Sequence, residues 1–298
     1  MINILVTGAN GLLGQKLTQL LDGDQSIHVL ATARGKLTAP LKRGAYHSLD
    51  VTDKEGVNQL IQRTKPEIVI HTAAMTQVDQ CEKDRDLCWA NNATAVDFLV
   101  RACEKNNVHL IHLSTDFIFD GTCGPLDETA IPNPISHYGK SKLAAEEFVM
   151  QGKLSWAIIR TVLVYGVTED QSRSNIVLWV KKSLEEGKPI RLVDDQWRTP
   201  TLAEDLAMGC LLAAKKKATG IFHISGSEML TPYDIAIQTA TFFGLDKSLI
   251  QKTDSSEFKQ PAARPPKTGF IIDKARRVLG YKPHTFTEGL GVLANQLK

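Results

Sequence analysis

The chain has 298 residues, 43% of them hydrophobic, with 21 glycines and a formal net charge of +2 from 35 Lys+Arg against 33 Asp+Glu. This length accommodates one large domain or two modest ones around a real core, which excludes a disordered chain and a stapled peptide. The near balance of charge excludes a protein whose affinity rests on neutralising many phosphates of a nucleic acid. In chain order, INILVTG reads as a strand, GLLGQKLTQLLDG as a helix, IHVLATA as a strand and VNQLIQRTK as an amphipathic helix. EIVIHTAA is again a strand, CWANNATAVDFLVRACEKN a long helix, and VHLIHLST a strand. Strands alternating with helices of this length predict right-handed βαβ units and a doubly wound parallel sheet, an α/β fold. Beyond a Gly/Pro-rich loop ending near Pro134 come a helix over SHYGKSKLAAEEFVMQ and a strand over WAIIRTVLVYG. PIRLVDD and GIFHIS read as further strands, and SNIVLWVKKSLEEG, TLAEDLAMGCLLAAKK and LTPYDIAIQTATFFG as helices.

Five cysteines (Cys81, Cys88, Cys103, Cys123, Cys210) without a CxxC pair cannot all pair within the chain, which suits a reducing compartment. Cys81, Cys88 and Cys103 are read as buried small hydrophobes. The start MINILVTG has no basic n-region and no cleavage site, and no apolar run approaches the roughly 18 residues of a membrane span. A soluble cytoplasmic protein with no membrane partner is expected, and the Asn92-Ala93-Thr94 sequon is read as accidental. No HExxH motif or Cys/His cluster implies a metal. His109 and His112, three apart on a strand, point to opposite faces and cannot share one.

TGANGLLG places Gly8, Gly11 and Gly14, with Leu12 and Leu13 between them, after the first strand and at the mouth of a helix. A dinucleotide loop needs that context: a tight turn, close approach of backbone N–H groups to a pyrophosphate, and close packing of helix on strand. An ordinary Gly-rich turn is the alternative; a Walker loop is excluded because no GK[ST] follows. At the end of the second strand stand Thr32, Ala33 and Arg34, with no carboxylate. An acidic residue there would hold a ribose 2′-OH, whereas Arg34 suits a 2′-phosphate. NADPH is the expected cofactor, with NADH left open and Arg34 as a plain surface charge the alternative.

Several segments jointly resemble the extended short-chain dehydrogenase/reductases: the TGxxGxxG loop, Asp50-Val51 in SLDVTD, Ala73-Ala74 in IHTAAMTQVD, Asn91 in WANNATA, Ser114-Thr115 in HLSTDFIFDG, and Tyr138 with Lys142 as YxxxK. The resemblance implies a Rossmann domain over 1–167 and 200–228, and a smaller, discontinuous α+β substrate domain over 168–199 and 229–298. It also implies cofactor contacts at Gly8, Gly11, Leu12, Leu13, Gly14, Arg34, Asp50, Val51, Ala73, Ala74, Asn91, Tyr138 and Lys142. Tyr138 and Lys142, four apart on a helix, share one face. A neighbouring ammonium is expected to lower the phenol toward the operating pH of a general acid, and Thr115 to orient and polarise a carbonyl. In that family hydride passes from the nicotinamide to the carbonyl carbon while tyrosine supplies the proton.

Within that superfamily the chain is most similar to the dTDP-4-dehydrorhamnose reductases, through AAMTQVDQCE, STDFIFDG, VDDQWRTPT and ARPPKTGFIIDKARRVLG. A 4-keto nucleotide sugar reduced at C4 is the implied substrate, met by Thr115, Asp116, Asn175, Arg198 and Arg264. For Asn175 a helix cap, and for Arg264 a surface charge, are the alternatives. Leu163 stands in RTVLVYG where that group has a tryptophan, and Arg198 stands where it has a glycine; the first leaves the sugar open. Asp116 is followed by Phe117, not by the Glu of the related 4,6-dehydratases, which argues against dehydration. A 4-epimerase, another ketoreductase, and a non-catalytic NADP-binding subunit like the β subunit of methionine adenosyltransferase are the alternatives. A homodimer is left open.

Overall fold

The computed structural model describes residues 1–169 and 174–298. The first half runs β1 (Ile2–Thr7), α1 (Leu12–Gly23), β2 (Ile27–Ala33), β3 (Ala45–Ser48), α2 (Lys54–Thr64), β4 (Ile68–His71), α3 (Val78–Lys83), α4 (Arg85–Trp89), α5 (Ala95–Asn106), β5 (His109–Thr115), α6 (His137–Gln151) and β6 (Trp156–Thr161). The second half runs β7 (Val164–Tyr165), α7 (Ile176–Glu185), β8 (Ile190–Val193), β9 (Thr201–Leu202), α8 (Ala203–Lys215), β10 (Gly220–His223), α9 (Pro232–Phe243), β11 (Ile250–Thr253) and α10 (Phe286–Gln296).

Seven strands form one sheet in the order β10-β6-β5-β4-β1-β2-β3, every pairing parallel. This is the doubly wound Rossmann-type fold expected from the alternation of strands and helices. Alternate residues of each strand serve opposite faces. Ile4, Val6, Ile68, Ile70 and Ile111 pack with Leu17 and Leu21 of α1 and Leu206 of α8. Leu5, Val69, Leu110 and Ile158 pack with Leu60 of α2, Leu99 of α5 and Val149 of α6. Each fully buried aliphatic side chain contributes about 1.5–3 kcal/mol. Both faces are therefore covered, and β4 and β5 are buried along their whole length.

Smaller apolar clusters lie around α7, α9, α10 and β8: Tyr165, Val177, Ile235, Phe286 and Leu290 in one, Val180, Leu184, Ile190 and Ala236 in another. Phe270, Ile272, Leu279 and Tyr281, in contrast, join the main core beside the sheet. Two short sheets, β8–β11 and β7–β9, complete the strands.

The long helix expected over 88–106 is broken. Between α4 and α5 the backbone widens into a π turn over Ala90–Thr94. The cause is Asn92, 1% exposed, whose side chain accepts from Met75 N at 2.8 Å and donates to Met75 O at 3.0 Å. Tertiary bonds outside the helix thus take precedence over its regular ladder. The sequon asparagine is consequently inside the protein. β1 and β4 end level at Thr7 and His71, and β5 and β6 run three residues further, to Thr115 and Thr161, along the edge where a doubly wound sheet places its cleft. Among the described residues no helix is long and apolar enough to cross a membrane.

Candidate active site

The glycine loop is shaped by close approach. Gly8 has φ +72°, and a Cβ there would lie 2.7 Å from Ala73 N; one on Gly14 would lie 2.1 Å from Gly8 O. Side chains at either position would force β1, β4 and α1 apart. Gly11 caps α1 without a side-chain hydrogen bond, and the first turn carries no acidic residue. The first N–H groups of α1 are left with partial positive charge and no side chain in the way. Leu12 and Leu13 are half-buried in that turn. A bare N-terminus behind a collar of glycines fits a pyrophosphate.

Arg34 is exposed at the end of β2. Burial pushes the Asp50 carboxyl up, but hydrogen bonds from Thr52 and the Arg34 charge hold it below the ordinary carboxylate range. Val51 beside it is buried. Ala73 and Ala74 continue β4 at the cleft, half-buried. Asn91 donates to Leu87 O at 2.8 Å within its own helix. Its neighbour Asn92 reaches from Met75 to Ser141 Oγ on α6, at 3.2 Å.

The YxxxK helix is fixed by its start. Ser136 caps α6 by accepting from Gly139 N at 3.1 Å, and Glu82 of α3 accepts from His137 N at 2.6 Å. A Cβ on Gly139 would lie 2.1 Å from Phe117 O, so only glycine lets α6 descend onto the turn after β5. That descent brings Tyr138 edge-on to Phe117, with ring centroids 5.7 Å apart, beside Cys81 and Cys88. The Thr115 hydroxyl, at the end of β5, donates to Asp116 Oδ1 at 3.1 Å and accepts from Phe117 N at 3.2 Å. Lys142, one turn beyond Tyr138 and 3% exposed, donates to Leu113 O at 2.7 Å and lies 3.3 Å from His112 Nε2.

Burial lowers the Lys142 ammonium to about 8, against the opposing pull of Glu146 and Cys88. The expectation that Lys142 lowers the Tyr138 phenol is corrected by the structure. Burial pushes the phenol above its ordinary value, the Thr115 hydroxyl pulls it down, and the Asp116 charge adds to the rise. Lys142 spends its hydrogen bonds on β5, so desolvation dominates at the tyrosine. Tyr138 is therefore held as the protonated phenol, the form a proton donor requires.

Asp116, 2% exposed, accepts from Thr268 Oγ1 and lies 3.6 Å from Arg198 Nε. Arg198, 5% exposed, donates to the carbonyls of Trp197, Pro265 and Pro266. Arg198, expected as a substrate contact, is thus sealed beneath Asp116. Arg264 forms a two-pronged pair with Asp79 of α3, at 2.9 and 2.7 Å. Both line a cavity of about 490 Å³ with Gln77, Val78, Gln80 and Lys83. Asn175 caps α7, accepting from Leu178 N at 3.3 Å and donating to Gly166 O at 2.7 Å. Leu163 occupies the left-handed region at φ +38°.

The structure therefore gathers Thr115, Asp116, Tyr138, Lys142 and Arg198 at one end of β5 and α6. Arg264 stands at the neighbouring cavity, while Asn175 is engaged in its own helix cap. Asn92, read from the sequence only as an accidental sequon, and His112, read only as pointing away from His109, take part in this site together with His71 and Thr268. For His112 a signal existed: it shares strand parity with Leu110, whose face of β5 packs on the α5 and α6 side. Thr268 carried none, since its partner Asp116 is 152 residues away. Among the described residues no group of three or more His, Cys, Asp or Glu could hold a metal.

The family model described as RmlD substrate binding domain matches residues 2–298. A Haloferax volcanii protein named "Probable low-salt glycan biosynthesis reductase Agl14" is 32% identical, over 97% of this chain and 96% of that protein. Methionine adenosyltransferase 2 subunit beta of Xenopus laevis is 34% identical over 82% of this chain and 73% of its own length. Among solved structures, dTDP-4-dehydrorhamnose reductase from Bacillus anthracis in complex with NADP superposes with a TM-score of 0.86 at 28% identity. That match covers 99% of this chain and 100% of that one.

Proposed function

The chain belongs to the RmlD substrate binding domain family, and from that premise we propose that it is an NADPH-dependent reductase of the C4 keto group of a nucleotide sugar, with dTDP-4-dehydro-L-rhamnose, reduced to dTDP-L-rhamnose, as the first substrate to test. The observation that carries this reading is the convergence of Thr115, Tyr138 and Lys142 beside the glycine cradle. We assign the cofactor to Gly8, Gly11, Leu12, Leu13, Gly14, Arg34, Asp50, Val51, Ala73, Ala74, Asn91, Tyr138 and Lys142. The Arg34 terminus of β2 and the NADP complex of the Bacillus anthracis relative support NADPH. Residues 1–167 and 200–228 hold it in this proposal, while 168–199 and 229–298 shape the sugar pocket. We expect a cytoplasmic protein.

When bound, the reduced nicotinamide supplies a hydride to the carbonyl carbon. The chain's own groups handle the charge and the proton. Thr115 turns its hydroxyl from Asp116 to the carbonyl oxygen and polarises it. Tyr138, kept protonated by burial, delivers its proton to the oxygen as the alcohol forms. The phenolate left behind is stabilised by the Thr115 hydroxyl, the group that pulls the Tyr138 phenol down. Asp116 keeps Thr115 aligned between turnovers, and Arg264 is the cation we assign to the sugar diphosphate.

A second reading, an NADP-binding regulatory subunit without turnover, draws on the 34% identity to methionine adenosyltransferase 2 subunit beta. Following NADPH oxidation with a panel of dTDP-, UDP- and GDP-4-keto sugars separates the two. We expect turnover with a dTDP sugar. Binding of NADPH with no oxidation on any sugar supports the regulatory reading, and interconversion of sugars without net oxidation supports a 4-epimerase.

A further inference from the structure

We propose that His112 is a positioning residue for Lys142, its Nε2 lone pair holding the ammonium in place while His71 and Thr7 brace the ring from behind. Lys142 makes two hydrogen bonds, to Leu113 O at 2.7 Å and to His112 Nε2 at 3.3 Å, so His112 is its side-chain acceptor. Glu146, the carboxylate nearest along α6, is occupied by Arg160 of β6 at 2.6 and 2.9 Å. A carboxylate in contact would neutralise the lysine; an imidazole lone pair orients it and leaves its charge available to an anion.

For Nε2 to accept, the His112 proton must sit on Nδ1, and that buried Nδ1 has no hydrogen-bond partner. An unpartnered buried donor is costly, and the demand of Lys142 on the opposite nitrogen supplies the reason for it. The His112 ring stacks on His71, centroids 5.5 Å apart and planes 18° from parallel. Thr7 Oγ1 accepts from Ala73 N at 3.4 Å and lies within hydrogen-bond distance of His71 Nδ1, at 2.7 Å. The His112 tautomer is thus assigned from its contact with Lys142. Burial and the Lys142 charge together push both rings below their ordinary value, His71 to about 3, so neither competes with Lys142 as a second cation. Thr7 precedes Gly8, and Ala73 is the residue against which Gly8 is packed. The brace therefore begins at the pyrophosphate loop and ends at the lysine. The groups acting on Lys142 come from β4 (His71), β5 (His112), α4 (Cys88) and α6 (Glu146).

The role of Lys142 toward the cofactor rests on the reductase reading; the His112 contact does not. The experiment is lysine 13Cε NMR on the full chain, with the Lys142 signal assigned by its loss in Lys142→Arg. It is titrated in the native protein, in His112→Phe, which keeps a ring and loses the acceptor, and in His112→Gln, which returns a carbonyl near Nε2. We expect titration near 8 in the native protein, a fall of about one unit in His112→Phe, and recovery in His112→Gln. NADPH affinity is expected to weaken about tenfold in His112→Phe and to return in His112→Gln. Should His112→Phe fail to fold, His112→Asn carries the test, because its shorter amide cannot reach the place of Nε2. An unchanged Lys142 titration in folded His112→Phe, or equal titrations in His112→Asn and His112→Gln, overturns the proposal. The expected shift with no turnover on any keto sugar upholds it and removes the reductase reading.

Discussion

In the wall formed by β5 and α6, each working side chain is fixed by a neighbour on a regular element. Lys142 is held by Leu113 O and His112, Tyr138 by the contact of Gly139 on Phe117 O, and Thr115 by the amide two residues on. In the rim around that wall, side chains are fixed across long stretches of chain. Arg198 spans to Pro265 and Pro266, Arg264 to Asp79, and Asp116 to Thr268. The wall works by geometry that any ligand meets unchanged. The rim works by ion pairs and loop carbonyls that a ligand must displace or ignore, so it is where one member of a family departs from another. Arg198, one of the two departures, lies there.

Four variants break or sharpen this contrast. Tyr138→Phe removes the proton donor from a prearranged wall, and kcat should fall by about 10²–10⁴ with the sugar KM little changed; undiminished steady-state turnover removes the mechanism. Arg198→Met leaves the Asp116 carboxylate buried without its cation and should cost about 3–5 kcal/mol in urea unfolding. An unchanged unfolding midpoint with a large rise in KM would move Arg198 from the scaffold to the ligand. Arg264→Ala takes a cation from the open cavity and should raise the sugar KM about tenfold; an unaltered KM shows that its pairing with Asp79 is its whole role. Asn175→Ala removes a helix cap and should cost about 1 kcal/mol with KM unchanged. A tenfold rise in KM without loss of stability would make Asn175 a ligand contact instead.

Much of the wall was legible in advance because its determinants are short in sequence. The glycine spacing, the YxxxK interval and the period-two strands each read within a dozen residues. β3 was missed because AYHS has four residues and no β-branched one; only its pairing with β2 makes it a strand. The break at Ala90–Thr94 was hidden because its cause, the bond from Asn92 to Met75, lies outside the helix. The expected lowering of the Tyr138 phenol failed for a related reason. The interval between Tyr138 and Lys142 says that they share a face, but not that burial outweighs the charge between them.

What the sequence by itself determined was the alternation of most strands and helices, the glycine loop after β1 and which polar side chains stand at the end of β5 and on α6, because local periodicity and close backbone approach select residue types position by position. What only the tertiary structure decided was the state and aim of those side chains: a protonated Tyr138, a Lys142 turned toward His112, an Arg198 sealed beneath Asp116. Desolvation and hydrogen-bond choice depend on everything that surrounds a group, and those surroundings come from residues far away along the chain.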